Sequence, residues 1–168
     1  MAKRIVVIGT LDHGKTTLIK ALGAFYENPA VERNGSTEAS ILVNGEEYVF
    51  FDYPDTEDYL ANLKHFDGVV LCVAVTDGPM GTVYQQMALC EELGMSQVVV
   101  FINKTDLRDD EEIIDLCKFE TEEFLYEHGV DGCESPVIQG SAERACTTPT
   151  AKWVYPIIQL AETVAATF

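Results

Sequence analysis

Three short segments carry residue types that, at these spacings, could act together on one phosphorylated ligand. The first is GTLDHGKT, Gly9 to Thr16, which fits the pattern G-x-x-x-x-G-K-[ST]. In such a loop the glycines let backbone N–H groups turn inward around phosphate oxygens. Lys15 adds a point charge at the outer phosphates, and the hydroxyl of Thr16 is a ligand for Mg²⁺. Asp12, His13, Gly14 and Thr17 fall within or beside this loop and join the candidate nucleotide-binding set.

The second segment is NKTD, Asn103 to Asp106, and the third is GSA, Gly140 to Ala142. A carboxylate at Asp106 can accept both the ring N–H and the exocyclic amine of guanine. Adenine would present an acceptor there and leave a buried charge unpaired, a discrimination of ~10² or more. A backbone N–H in the third segment could then meet the guanine carbonyl. Alone, NKTD is also an ordinary turn before a helix and GSA an ordinary small-residue turn. It is their order behind a phosphate loop that gives them meaning.

The elements that must hold these segments are legible in the hydrophobic pattern. KRIVVIG, GVVLCVAV and QVVVFIN are β-branched runs, apolar on both faces, as expected of strands buried between helical layers. KTTLIKALGAF, GTVYQQMALCEELG and DDEEIIDLCKFETEEFLYEHG separate them as helices, the last opening on acids and closing on His128-Gly129. SILVNGEEYVFFD reads as two strands joined at Asn44-Gly45. PVIQGSA gives a final short strand and AKWVYPIIQLAETVAA a final helix, with Pro156 near its first turn or at a kink. Asn28 to Ser40 and Ala145 to Ala151 are left as loops. The expectation is an α/β fold of three layers, a mainly parallel six-stranded sheet with one antiparallel strand and helices on both faces, its ligand at the carboxyl ends of the strands.

Composition bounds the rest. With 168 residues, 47% of them hydrophobic, a single domain spanning the whole chain is expected. The formal charge of −17, from 28 acids against 11 bases, argues against a nucleic-acid backbone as the main partner. No signal peptide or membrane-spanning run is evident, so a cytoplasmic location and no membrane partner are expected. Cys72, Cys90, Cys117, Cys133 and Cys146 form no CxxC pair, and are read as buried thiols rather than as a metal site or disulfide framework. Trp153 and Phe124 are expected to anchor the last two long helices in the core, and His65 and His128 to be surface or packing residues.

Taken in order, DHGKTTL, AVTDGPMGT, VFINKTDLRDDEE, GSAE and the final KW…IIQLAETV make the chain resemble the GTP-binding (G) domain of the translational GTPases, of the elongation factor Tu type. The resemblance implies GDP or GTP with Mg²⁺ as cofactors. It places Asp12 and His13 in the phosphate loop, Thr16 and Asp52 on Mg²⁺, and Asn103, Lys104, Asp106, Ser141 and Ala142 on guanine. Leu11 stands where that family has the hydrophobic gate over the catalytic water. NGST, Asn34 to Thr37, is similar to the family's first switch, which makes Thr37 the residue that would close over Mg²⁺ and the third phosphate.

The second switch departs from the family. Where the family reads Asp-Cys-Pro-Gly-His, this chain reads Asp52-Tyr53-Pro54-Asp55-Thr56. The glycine that donates its N–H to the third phosphate becomes Asp55, and the histidine that positions water becomes Thr56, with no other glycine between Gly45 and Gly68. A carboxylate about 5 Å from a phosphate charge costs roughly 3 kcal/mol at an effective dielectric near 20, about a hundredfold in affinity. Both switches are also shortened, and the β-barrel domains that hold tRNA in the elongation factor are not expected, so direct tRNA binding is not either. The leading expectation is a GDP/GTP-binding protein with weak or absent intrinsic hydrolysis. The alternatives are a GTPase completed in trans by a protein partner or the translation machinery, and a nucleotide-free scaffold.

Overall fold

A computed structural model describes all residues from Met1 to Phe168. Seven strands form one sheet: β1 Lys3–Ile8, β2 Val31–Arg33, β3 Ser36–Val43, β4 Glu46–Asp52, β5 Gly68–Ala74, β6 Val99–Asn103 and β7 Val137–Gln139, in the spatial order β2-β3-β4-β1-β5-β6-β7. From β4 to β7 every neighbouring pair is parallel, and only the β2–β3 and β3–β4 ladders are antiparallel. The six long or short helices are α1 Lys15–Phe25, α2 Thr56–Asn62, α3 Val83–Glu92, α4 Glu111–Glu127, α5 Ala142–Thr147 and α6 Ala151–Thr167, with a 3₁₀ turn at Leu63–His65.

Alternation along the strands divides the core into two layers. Ile5 and Val7 point towards Leu18, Ile19 and Leu22 of α1 and Ile157, Leu160 and Val164 of α6. Val6 and Ile8 point the other way, towards Tyr59 of α2, Met87 of α3 and Phe124 and Leu125 of α4. Because both faces are covered, β5 and β6 are buried along their whole length, the physical reason for their unbroken apolar runs.

Several expectations are corrected. The sheet has seven strands, not six, because Asn34-Gly35 takes the same left-handed turn as Asn44-Gly45, with φ of 52° and 80° against 52° and 85°. An Asn-Gly pair folds the chain back as a hairpin, so the supposed loop from Asn28 to Ser40 carries β2 and the start of β3. Residues 145–147 continue α5 rather than forming a loop, since Ser141 caps that helix by accepting from the Arg144 N–H. Pro156 lies inside α6 just beyond its first turn, in keeping with the position expected near that turn. Trp153 is only half-buried, with Lys152 Nζ over its ring, so it is not a core anchor, whereas Phe124 is. Cys72, Cys90 and Cys117 are buried, but Cys133 and Cys146 are exposed, the first in the turn after α4 and the second in α5. The end of α4 follows the sequence: Gly129 at φ 73° lets its own N–H reach Tyr126 O and the Val130 N–H reach Leu125 O, satisfying the last carbonyls.

Candidate nucleotide site

The phosphate loop, Asp52, NKTD and GSA lie at the carboxyl ends of the parallel strands, and NGST lies in the β2–β3 hairpin, which brings Thr37 opposite Asp52. The phosphate loop follows β1, Asp52 ends β4, Asn103 ends β6, and Gly140 to Ala142 follow β7. They frame a cleft of about 490 Å³ whose walls include Asp12, Gly14, Lys15, Thr16, Thr17, Asp52, Asn103, Lys104 and Ser141. Strand β1 is flanked by β4 on one side and β5 on the other, the reversal at which open α/β sheets form a ligand crevice.

The phosphate loop is built around contacts that no side chain could share. Gly14 has φ 92°, and a Cβ there would run into the Asn103 amide. Gly14 is also the N-cap of α1, which has no side-chain cap and no acid in its first turn. The other helices that begin near acids, α2, α4 and α5, all carry both. Helices α3 and α6 also lack both, but α1 is the one whose first residues line the main cleft, so its first N–H groups and positive dipole end face the space an external anion would enter. Lys15, 9% exposed, donates to Gly9 O at 3.0 Å and Thr10 O at 3.2 Å, and burial lowers its pKa.

His13 is a structural member of the loop. Its Nδ1 accepts from the Ala74 N–H at 3.2 Å, and its carbonyl accepts from Asn103 Nδ2 at 2.9 Å. Nδ1 as acceptor places the proton of a neutral ring on Nε2, which lies 3.2 Å from Asp77 Oδ2 without hydrogen-bond alignment. Burial, opposed by the Asp77 charge, lowers the imidazole's pKa.

The residues expected to meet guanine divide into two groups. Asn103 is fully committed to the protein: besides the His13 carbonyl it accepts from the Ala142 N–H at 3.0 Å, pinning the loop after β7 to the phosphate loop. Lys104 reaches the Asp12 carbonyl and lines the cleft with Ser141. Asp106 does not line the cleft; its carboxylate, 8% exposed, accepts from Arg144 Nε at 3.3 Å. Arg144, like Glu143 on the cleft wall, is a neighbour that the sequence motifs do not mark.

Around Asp52, Thr16 Oγ1 donates to Asp52 Oδ2, and Thr37 stands opposite Asp52 in the β3–β4 ladder. All three line a second cleft beside the first. The hydroxyl of Tyr59 lies 2.6 Å from Asp52 Oδ1 and 2.7 Å from the Val7 carbonyl, and its ring sits 5.8 Å from Lys15 Nζ. Burial first, then the Asp52 charge, drives the phenol pKa well above its usual value, so the group stays a neutral donor. Oxygen donors from a carboxylate and two hydroxyls are the chemistry that a hard divalent cation takes. Nothing in the sequence motifs marked Tyr59; only its position one helix beyond Asp52 could have suggested it.

Asp55 does not point at the phosphate end as a free charge. It is the N-cap of α2, its Oδ1 accepting from the Asp58 N–H at 2.9 Å, with extended backbone at φ −139°. A glycine's conformational freedom is therefore not required at this position, and the Asp55 backbone N–H remains as a donor. Thr56 opens α2 and, with Leu11, Lys15 and Asp55, borders a smaller cavity of about 200 Å³. Leu11 itself is 69% exposed at the mouth of the cleft.

A parallel sheet with a glycine-capped helix after its first strand, and carboxylate and amide loops at the strand ends, defines a nucleotide-binding α/β protein of the phosphate-loop class. The family model for the elongation factor Tu GTP binding domain matches residues 36–166, well over half of the chain. The chain belongs to that family, and it is a GTP-binding G domain. The matched span begins at Ser36, so the assignment of Gly9 to Thr16 stands on the sequence pattern and the geometry above rather than on the match.

Proposed function

We propose that this chain is a Mg²⁺-dependent guanine-nucleotide module that binds GDP and GTP and hydrolyses GTP slowly on its own. The observation that carries the reading is the convergence, on two adjoining clefts that share Thr16 and Asp52, of the uncapped N-terminus of α1, Lys15, and the Thr16–Asp52–Thr37 oxygen set. In this reading Thr16, Asp52 and Thr37 hold the cation, Lys104, Ser141 and Ala142 meet the base, Asp106 joins them by exchanging its Arg144 partner for the base, and Asn103 ties the loops together. The bound cation would supply charge neutralisation between outer phosphates. Thr56 has no basicity at neutral pH, and losing a water-positioning group costs orders of magnitude in rate. The module is proposed to act in the cytoplasm, as a nucleotide-bound interaction partner rather than a turnover enzyme.

A second reading, completion of catalysis by a protein partner, is favoured by one feature: Leu11 and Met80 (47%) are exposed near the phosphate loop, apolar surface that a docking partner would cover.

The test is titration of GDP and a non-hydrolysable GTP analogue, with and without Mg²⁺, against the wild type, Asp106→Asn and Asp55→Gly. Both nucleotides should bind more tightly with Mg²⁺, and Asp106→Asn should weaken both by ~10². Because Asp55 is engaged as a cap, Asp55→Gly should fall far short of the roughly hundredfold gain for the analogue that a charge pair at ~5 Å would give. Absence of guanine-nucleotide binding, or fast turnover by the chain alone, would overturn the reading.

A further inference from the structure

Gln86 is 1% exposed, in the second turn of α3, an element separate from both switches. Its Oε1 accepts from the Gly9 N–H at 3.0 Å. That bond fixes the orientation of the side-chain amide, so Nε2 and its two donors sit on the other side. No protein acceptor takes them. The chain's one sealed side-chain polar atom without a partner is His13 Nε2, so Gln86 Nε2 keeps access to the cavity that Gln86 lines.

That cavity is the 200 Å³ space bordered by Gly9, Lys15, Asp55, Thr56 and Tyr59, and it shares Leu11, Lys15 and Pro54 with the main cleft. A polyphosphate entering along the phosphate loop would turn its outermost group past Lys15 into this space. Of the polar groups already there, the Tyr59 hydroxyl is engaged with Asp52 and Val7, the Asp55 carboxylate with its helix and Lys15 Nζ with the Gly9 and Thr10 carbonyls, which leaves the Thr56 and Thr82 hydroxyls beside the Gln86 amide. A buried amide with two unused donors is costly unless something accepts from it.

We propose that Gln86 is a terminal-phosphate residue of this chain: its side-chain amide donates to the outermost phosphoryl group of a nucleoside triphosphate, making α3 a determinant of triphosphate over diphosphate. The inference rests on the reading of Lys15 as the outer-phosphate lysine. It assigns to α3 a donor that faces the cavity bordered by Asp55 and Thr56, where the second switch has lost its histidine.

The experiment is the ratio of Kd for a non-hydrolysable GTP analogue to Kd for GDP, in Mg²⁺, for the wild type, Gln86→Glu and Gln86→Met. Gln86→Glu keeps the acceptor for the Gly9 N–H and replaces both donors by a charge that itself repels a phosphate, so Gln86→Met, which removes the donors without adding charge, decides the matter. A hydrogen bond to a charged oxygen is worth ~10- to 100-fold, so the ratio should rise at least ~10-fold. A ratio unchanged in Gln86→Met, including equal weakening of both nucleotides through Gly9, overturns the inference and leaves the nucleotide-binding reading standing. Failure of the wild type to bind either nucleotide overturns both.

Discussion

At the scale of single residues, His13 joins three parts of the site while paying for its burial. Its ring accepts from β5 and its carbonyl receives Asn103 from β6, so one residue fixes the phosphate loop to two strand ends. Burial lowers its pKa below the ordinary 6.5, which means that the unfolded chain takes up a proton before the native one does. The unfolded state then binds more protons over the window below pH 6.5, and stability must fall with pH there, with a slope no steeper than about 1.4 kcal/mol per pH unit. Above pH 6.5 the contribution is constant. The carboxylates complicate the raw curve, so the informative quantity is the difference from His13→Asn, whose amide oxygen can still accept from Ala74. Urea unfolding at pH 7.5, 6.5 and 5.5 should show the wild type losing ground to the variant as pH drops. Parallel curves, or the opposite slope, would mean that Asp77 rather than burial dominates the ring.

At the scale of elements, α2 is an ordinary capped helix where the family resemblance led to the expectation of a phosphate-sensing switch. Asp55 accepts from Asp58, and Glu57 and Asp58 in the first turn complement the dipole. Asp55→Ala should cost ~1 kcal/mol in urea unfolding and Asp55→Gly only a few tenths; equal and negligible losses would show that the cap is not formed. The sequence made much of this architecture readable because its signals are local. Unbroken apolar runs gave β1, β5 and β6, a glycine-terminated acidic segment gave α4, and Asn44-Gly45 gave the β3–β4 hairpin. The same Asn-Gly signal at Asn34-Gly35 lies inside the segment that resembles a family switch, and there it forms the β2–β3 hairpin instead. The site was legible only where one segment carries its own chemistry, as in Gly9 to Thr16. Tyr59 on Asp52, Gln86 on Gly9 and Arg144 on Asp106 are separated in the chain by 7, 77 and 38 residues, and each depends on which helix faces packs where, which no local pattern encodes.

At the scale of the whole molecule, the charge of −17 is spread over a surface with few counter-charges. Only two ion pairs join a Lys or Arg to a carboxylate, Lys118 with Asp115 and Arg144 with Asp106, against 28 acids. Self-repulsion therefore works against the compact state, and screening should relieve it. From ~0.01 M to ~1 M KCl the Debye length falls from about 30 Å to about 3 Å, and each kcal/mol recovered raises Tm by ~2–4 °C in a domain of this size. Helix α4 concentrates the effect, with seven acids and one lysine between Glu111 and Glu127 and no basic residue in its last turn. Glu127 is exposed there, one turn after Glu123 and at the negative end of the helix dipole. Glu127→Lys removes a like-charge neighbour and puts a cation at that end, so it should stabilise by about 0.5–1 kcal/mol at low salt. Thermal unfolding of the two proteins across the same salt range checks both statements at once: the wild-type Tm should climb by at least ~2 °C, and the advantage of the variant should shrink towards zero at the high-salt end. A gain that persists undiminished in ~1 M KCl would show that the substitution acts through packing or helix propensity, and that the acidic surface is not what limits the stability of this domain.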